Sequence, residues 1–216
     1  MTAIHAILGG SFNPVHFGHL GMAGAVDKRL ASLGLPYQTT LMPSRNPFKN
    51  TQTKDAHLLN MLHLGCAEYN ATHGTSLGIS TLELDSPKKS YTLDTLSTLK
   101  KAYPNTALIF IIGQDSLESL ETWKGGFDLF ELTHFWVFSR GNTTLTLPET
   151  LKQRLCPTPD ALLEKRVGGL YLDPTPIMEI SSSQLRTALA HGHRPAALPS
   201  TVSDYITLHG LYQDGK

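Results

Sequence analysis

Short apolar runs of strand length alternate along this chain with segments whose apolar residues recur every three or four positions. The runs are residues 3–8, 37–42, 77–84, 107–112 and 135–139. Between the first two, 16 to about 33 carries Leu20, Ala23, Val26 and Leu30 on one stripe, and Gly34 is placed to end that helix. A second helix, 55 to about 69, starts at an Asp55 cap and turns Leu58, Leu59, Leu62 and Cys66 inward; a third, 93 to about 103, follows a Thr92 cap. The run 107–112 is the most strand-like and belongs at the centre of a sheet. Strand, helix and strand in alternation imply right-handed parallel crossovers, so the predicted class is α/β, a doubly wound parallel sheet.

Beyond 139 the pattern weakens. Residues 143–169 contain prolines and little periodicity, with one short helix expected around 148–155. Residues 170–172 can add a short sixth strand. The helix that opens at 180–186 has strong start signals: Ser181 and Gln184 stand at capping-box spacing, and Ile180 and Leu185 at the spacing of a hydrophobic staple. Gly192 ends it, and 199–209 forms a last helix. No repeat or linker interrupts 1–216, which reads as one domain with 170–216 as a small C-terminal helical part.

Composition narrows the function. The 216 residues are 40% hydrophobic, enough for a substantial core, and 18 Lys plus Arg balance 18 Asp plus Glu. A net charge of zero supplies no footprint for nucleic acid or an anionic membrane, so any anion site must be local. Cys66 and Cys156 form no C-x-x-C, which argues against a disulfide framework or a zinc site. There is no basic segment followed by a long apolar one at the N-terminus, and no run of about eighteen apolar residues, so a cytoplasmic protein is expected.

The local anion site is expected where the first strand meets the first helix, at Leu8-Gly9-Gly10-Ser11-Phe12-Asn13-Pro14-Val15-His16-Phe17-Gly18-His19. Glycines let backbone approach a ligand closely, and a helix N-terminus presents unpaired N–H groups and a positive dipole end. His16 and His19, three apart on the first turn, can reach one anion. Neither G-x-G-x-x-G nor G-x-x-x-x-G-K-[ST] occurs. A Gly-rich turn with incidental histidines, or a metal-binding His pair, would use the same residues; no nearby Cys or carboxylate completes a metal set. Ser181 to Arg186 offers a second anion pocket of capped N–H groups, hydroxyls and a guanidinium, although a structural helix with a solvated Arg explains those residues equally. Gly113-Gln114-Asp115-Ser116 leaves the fourth strand as Gly10 leaves the first, and the loop 43–50 carries the cations Arg45 and Lys49.

The string Gly10 to His19 closely resembles the signature of the nucleotidyltransferase superfamily, whose HxGH element grips nucleotide phosphates. Other stretches are similar to one family within it, the bacterial nicotinate-nucleotide adenylyltransferases: Ile180 to Arg186 resembles ISSTxIR, with Ser183 where Thr is usual; Ser90-Tyr91-Thr92 with Thr95-Leu96 resembles SYT-x-x-TL; Gly113 to Ser116 resembles G-x-D-[SA]; Thr122-Trp123 and the ending Gly210-Leu211-Tyr212 also match. This resemblance implies a Rossmann-like sheet of nucleotidyltransferase type, order 3-2-1-4-5, with 170–216 binding the triphosphate. It implies AMP transfer from ATP, carried with Mg²⁺, to nicotinate mononucleotide. His16, His19 and Arg186 would be catalytic. Gly9, Gly10, Ser11, Phe12, Gly113, Asp115, Ile180, Ser181, Ser182 and Ser183 would join them in binding ATP. Trp123 would stack on the pyridine, Tyr91 and Thr92 would meet its carboxylate, and Asn13, Arg45, Lys49, Asp115 and Arg140 would complete the substrate site. Phe48 stands at a usual His position, and Ser139-Arg140-Gly141-Asn142 lacks the proline of the common SRPG form. The alternatives are a catalytically silent nucleotide sensor, or an adenylyltransferase with nicotinamide mononucleotide or phosphopantetheine as acceptor. A class I aminoacyl-tRNA synthetase would need a KMSKS-like loop, which the chain lacks.

Overall fold

Strands that are apolar on both faces must be covered on both, and this requirement organises the molecule. The computed structural model describes residues 3–44, 53–86, 91–139 and 147–213. In it β1 (Ile4–Gly10), β2 (Tyr37–Pro43), β3 (Leu77–Ile79), β4 (Ala107–Gly113), β5 (His134–Phe138) and β6 (Leu170–Asp173) form one sheet, ordered β3-β2-β1-β4-β5-β6. Every pairing is parallel. Successive residues of each strand point to opposite faces, so Ile4, Ala6 and Leu8 join one core cluster while Ile7 joins the other. The first cluster takes in α1 (Phe17–Ala31), α2 (Asp55–His73), α7 (Ser182–Ala190) and α8 (Ser200–Leu208); the second takes in α3 (Thr92–Ala102) and α4 (Gln114–Glu118). Strand order reverses between β1 and β4, which creates a switch point at their carboxyl ends.

The expected doubly wound sheet is present, with β6 extending the order 3-2-1-4-5 by one parallel strand. Trp136 Nε1 donates to Asp173 Oδ2 at 2.8 Å, and Thr175 N donates to Asp173 Oδ1 at 2.8 Å, fixing the exit from β6. β3 is shorter than the run 77–84: Asp85 N donates to Thr81 O at 2.9 Å and Thr81 Oγ1 to the Asp85 carboxylate at 2.7 Å, so the chain turns back after Ile79. The caps also differ. Asp55 and Thr92 are the first helical residues, with Lys54 and Tyr91 at the N-caps. An Asp within the first turn still favours the positive helix end. The segment beyond 146 holds two short helices, α5 (Glu149–Lys152) and α6 (Pro159–Glu164), the second capped by Thr158. No helix among the described residues is long and apolar enough to cross a membrane.

Two features make the fold acid-sensitive. His5 and His134 are buried within the sheet; His5 Nε2 lies 2.8 Å from Thr40 Oγ1, and Gly169 N donates to His134 Nδ1 at 3.1 Å. Burial pulls each imidazole down to about 4, with the Lys100 and Lys165 charges adding to the effect at His134. Glu68 of α2 caps α8 from outside the helix: Ser200 N, Ser200 Oγ, Thr201 N and Thr201 Oγ1 all donate to its carboxylate within 3.0 Å. Burial works to raise its pKa, but those four donors outweigh it and hold the carboxyl below its ordinary value.

Between pH 6.5 and 4 the unfolded chain takes up protons on His5 and His134 that the native state refuses, so stability falls as pH drops through that window. The depressed Glu68 carboxyl loses its contribution in the same direction, as pH falls towards its folded value. The melting temperature is therefore expected to decline from pH 7 to pH 5, and a His5→Gln/His134→Gln double variant to decline less; equal melting temperatures at both pH values would refute this. Glu68→Ala removes the cap from α8 and should cost about 1–2 kcal/mol in urea unfolding at pH 7, the scale of a lost helix cap.

Candidate active site

A crevice of about 600 Å³ opens at the switch point, over the carboxyl ends of β1 and β4. Gly9, Gly10, His19, Tyr91, Thr92, Gly113, Asp115 and Trp123 all line it, so residues from across more than a hundred positions of sequence meet in one cavity. The glycines serve packing as well as ligand access. A Cβ on Gly9 would lie 3.0 Å from the Phe110 ring, and one on Gly10 3.0 Å from the Phe12 ring. At Gly18 it would lie 2.9 Å from Met178 O, so this glycine lets the connection from β6 to α7 cross the start of α1.

His16 occupies the N-cap of α1 with an extended backbone and is buried. Its ring stacks on His19, with centroids 3.7 Å apart and planes at 25°. Phe12, at a positive φ of 43°, meets His19 edge-on from another side at 5.0 Å. His19 is thus the imidazole presented to the crevice, and His16 is not among the residues lining it. The two rings, expected from their spacing to reach one anion, stack on each other, with His19 the one that lines the crevice.

The segment Ser181 to Arg186, expected as a second anion pocket, is joined directly to the first loop. Ser182 Oγ donates to Pro14 O at 3.1 Å, and Arg186 Nη1 donates to Asn13 O at 2.8 Å. Arg186 Nη2 also donates to Ser183 Oγ at 3.1 Å, within the first turn of α7. The capping box is complete, with Gln184 N donating to Ser181 Oγ at 3.2 Å and Ser181 N to Gln184 Oε1 at 2.9 Å. Asn13 is buried, and its side-chain carbonyl accepts from the Tyr212 hydroxyl. Its amide is therefore engaged by the C-terminal residues rather than lining the crevice. Ser11, Phe12, Ile180, Ser181, Ser182, Ser183 and Arg186 likewise stand outside the lining of the cavity, on the loop and helix beside it.

On the opposite wall, Trp123 follows a 3₁₀ turn at Leu120–Thr122 and is partly buried against the second core cluster, its ring edge-to-face with Phe110 at 6.4 Å and 87°. It both packs and lines the crevice, so the two readings open to a lone tryptophan are compatible. Lys124 lines the same wall; its Nζ donates to Asp94 Oδ2 at 2.8 Å and lies 4.8 Å from the Tyr91 ring centroid. Glu83 is buried at the cavity and accepts from Thr95 Oγ1 at 2.7 Å. Burial raises its pKa, and the bond from Thr95 opposes that. Sequence reasoning assigned no role to Glu83 or Lys124: Glu83 lay inside an expected strand, and only the turn after Ile79 carries it to the crevice. Arg45, Lys49 and Arg140, together with Phe48 and Ser90, lie outside the described residues. Among the described residues no three His, Cys, Asp or Glu side chains are grouped to hold a metal ion.

Comparison with known proteins agrees with this geometry. Residues 7–188 match the cytidylyltransferase-like family. A protein of Acidithiobacillus ferrooxidans named as a nicotinate-nucleotide adenylyltransferase is 35% identical over 215 residues, covering 96% of this chain and 94% of its own. Another of that name, from Pseudoalteromonas atlantica, is 36% identical over 214 residues with the same coverage. Among solved structures, the nicotinic acid mononucleotide adenylyltransferase of Plasmodium falciparum complexed with NaAD shares the fold, with a TM-score of 0.69, 21% identity and 98% coverage of both chains. The chain thus belongs to the cytidylyltransferase-like family and, within it, to the nicotinate-nucleotide adenylyltransferases.

Proposed function

We propose that the protein transfers AMP from ATP to nicotinate mononucleotide, forming nicotinate adenine dinucleotide and releasing pyrophosphate. The observation that carries this reading is the joining of Arg186 and Ser182 to the carbonyls of Asn13 and Pro14, which brings two anion-binding segments together beside a crevice whose far wall holds Trp123, Tyr91 and Thr92. One side suits a triphosphate; the other suits an aromatic acid. The names of the relatives support the same acceptor.

The acceptor phosphate is already a nucleophile, so no side chain needs to form a covalent intermediate. One of its oxygens attacks the α-phosphorus in line as the bond to the pyrophosphate oxygen breaks, and the electron pair leaves with pyrophosphate. The protein's task is alignment and stabilisation of the charge that develops on the transferring and leaving groups. His19, presented at the crevice, is suited to the phosphoryl oxygens, with His16 stacked behind it setting its orientation. Arg186, held by Asn13 O and Ser183 Oγ, is suited to the β- and γ-phosphates, with the N-terminus of α7 and its serines adding donors. Mg²⁺ enters with ATP as part of the substrate, coordinated by phosphate oxygens and water. Asp115, in the first turn of α4, lines the crevice and is assigned to the nucleotide. The residues 170–216 form the triphosphate-binding part of a single domain, and the reaction belongs to the cytoplasm.

Pyrophosphate release with Mg-ATP should be strong with nicotinate mononucleotide and weak with nicotinamide mononucleotide or phosphopantetheine. Measurable ATP binding without release from any of the three would identify a silent sensor instead. His19→Ala is expected to lower kcat by about 10²–10³, the scale for removing one charge-stabilising donor. A variant within threefold of wild type would overturn the role of His19.

A further inference from the structure

Asp94 and Lys124 flank the acceptor wall in a way the function above does not use. Lys124 directly follows Trp123, and the turn that carries both is closed by Gly126 N donating to Trp123 O at 2.8 Å. Gly125, at φ 89°, packs so closely on α3 that a Cβ there would lie 3.1 Å from Leu93. Backbone geometry therefore commits Trp123 and Lys124 to the same wall.

Lys124 is also distinguished by charge among the described residues at the crevice. Among the described residues lining it, Glu83 and Asp115 are acidic, and Lys124 is the sole Lys or Arg. Asp94 holds the ammonium at the rim through contacts of 2.8 and 3.0 Å, and the Tyr91 ring lies beneath it. Both partners of that pair are about half exposed, at 46% and 52%. Exposed pairs of this kind are weak and screened by salt, so the cation can move to a better-placed carboxylate at little cost. The four-carbon stem of lysine gives it that reach.

We infer that Lys124 is a specificity-determining residue: its ammonium, held ready at the rim by Asp94, pairs with the carboxylate of the pyridine ring and selects acid over amide. This rests on the acceptor assigned above. A neutral carboxamide gains little from the cation, whereas a carboxylate gains a charge-assisted hydrogen bond. Thr92 and Tyr91 would offer neutral donors to the carboxylate; Lys124 adds a full opposite charge.

The test measures steady-state kinetics of the full chain with both mononucleotides. Lys124→Met should raise KM for nicotinate mononucleotide about tenfold, with kcat and the KM for ATP within about twofold and kcat/KM for the amide unchanged, the scale of one charge-assisted contact. Lys124→Arg should restore most of the preference. Asp94→Asn should leave KM for the acid no higher than in wild type, because it releases the cation. An unchanged acid-to-amide ratio in Lys124→Met, in an enzyme whose wild type uses the acid, would overturn the inference alone. Equal rises in KM for both acceptors in Lys124→Met and Asp94→Asn would also overturn it, reducing the pair to a structural latch. Wild-type protein silent with nicotinate mononucleotide would overturn the acceptor reading and this inference together.

Discussion

The carbonyl of Asn13 receives the Arg186 guanidinium, while the side chain of the same residue receives the Tyr212 hydroxyl. This buried asparagine ties the first loop to α7 and to the C-terminal turn, elements about 170 and 200 positions away in sequence. A buried polar side chain left without partners would be costly, so the loop, α7 and the C-terminus stabilise one another or not at all. The ending Gly210-Leu211-Tyr212 gains a physical meaning from this. Its tyrosine locks the loop that precedes the histidines.

Around that tie, the site is assembled by close approach rather than by charge alone. Gly9, Gly10 and Gly18 each stand where a Cβ would press on a ring or a carbonyl, so the same glycines that open the switch point also let Phe110, Phe12 and Met178 close around it. His16 contributes through the stack with His19. The protein has no net charge to draw anions from a distance, so under the proposed function anion binding would rest on a helix end, an oriented guanidinium and an imidazole brought close together.

The wall that carries Trp123 is built differently. There the framework is apolar, with Trp123 packed edge-on to Phe110, and two charged-type side chains line the same crevice, Glu83 held by Thr95 and Lys124 held by Asp94. Such a wall can be rigid in shape while its charges remain adjustable, because the Lys124–Asp94 pair is open to solvent and the aromatic packing is not.

The α/β class, the strand positions near 3–8, 37–42 and 107–112, and the start of α7 were legible in the sequence because each is a local regularity: an apolar run, a helical stripe or a capping box. So were the segments bearing His16, His19, Tyr91, Thr92, Asp115, Trp123 and Arg186, since loops at strand ends carry distinctive residues. β3 ends earlier than the apolar run suggests: Leu82 and Leu84 prolong the run, but one position out of phase with Leu77 and Ile79, and hydrogen bonds between Thr81 and Asp85 turn the chain there. Of the two short helices after 146, the one at Glu149–Lys152 was expected, and the one at Pro159–Glu164 lacked the length for a period to show. Tertiary structure alone decided that Asn13 is engaged by Tyr212, that His16 lies behind His19, and that Glu83 and Lys124 reach the crevice. The Asn13–Tyr212 and Lys124–Asp94 contacts join residues distant in sequence, and local patterning carries no information about which distant partner a polar group will meet; the His16–His19 stack and the turn that carries Glu83 are local, but only the packing around them sets which side chain faces the crevice.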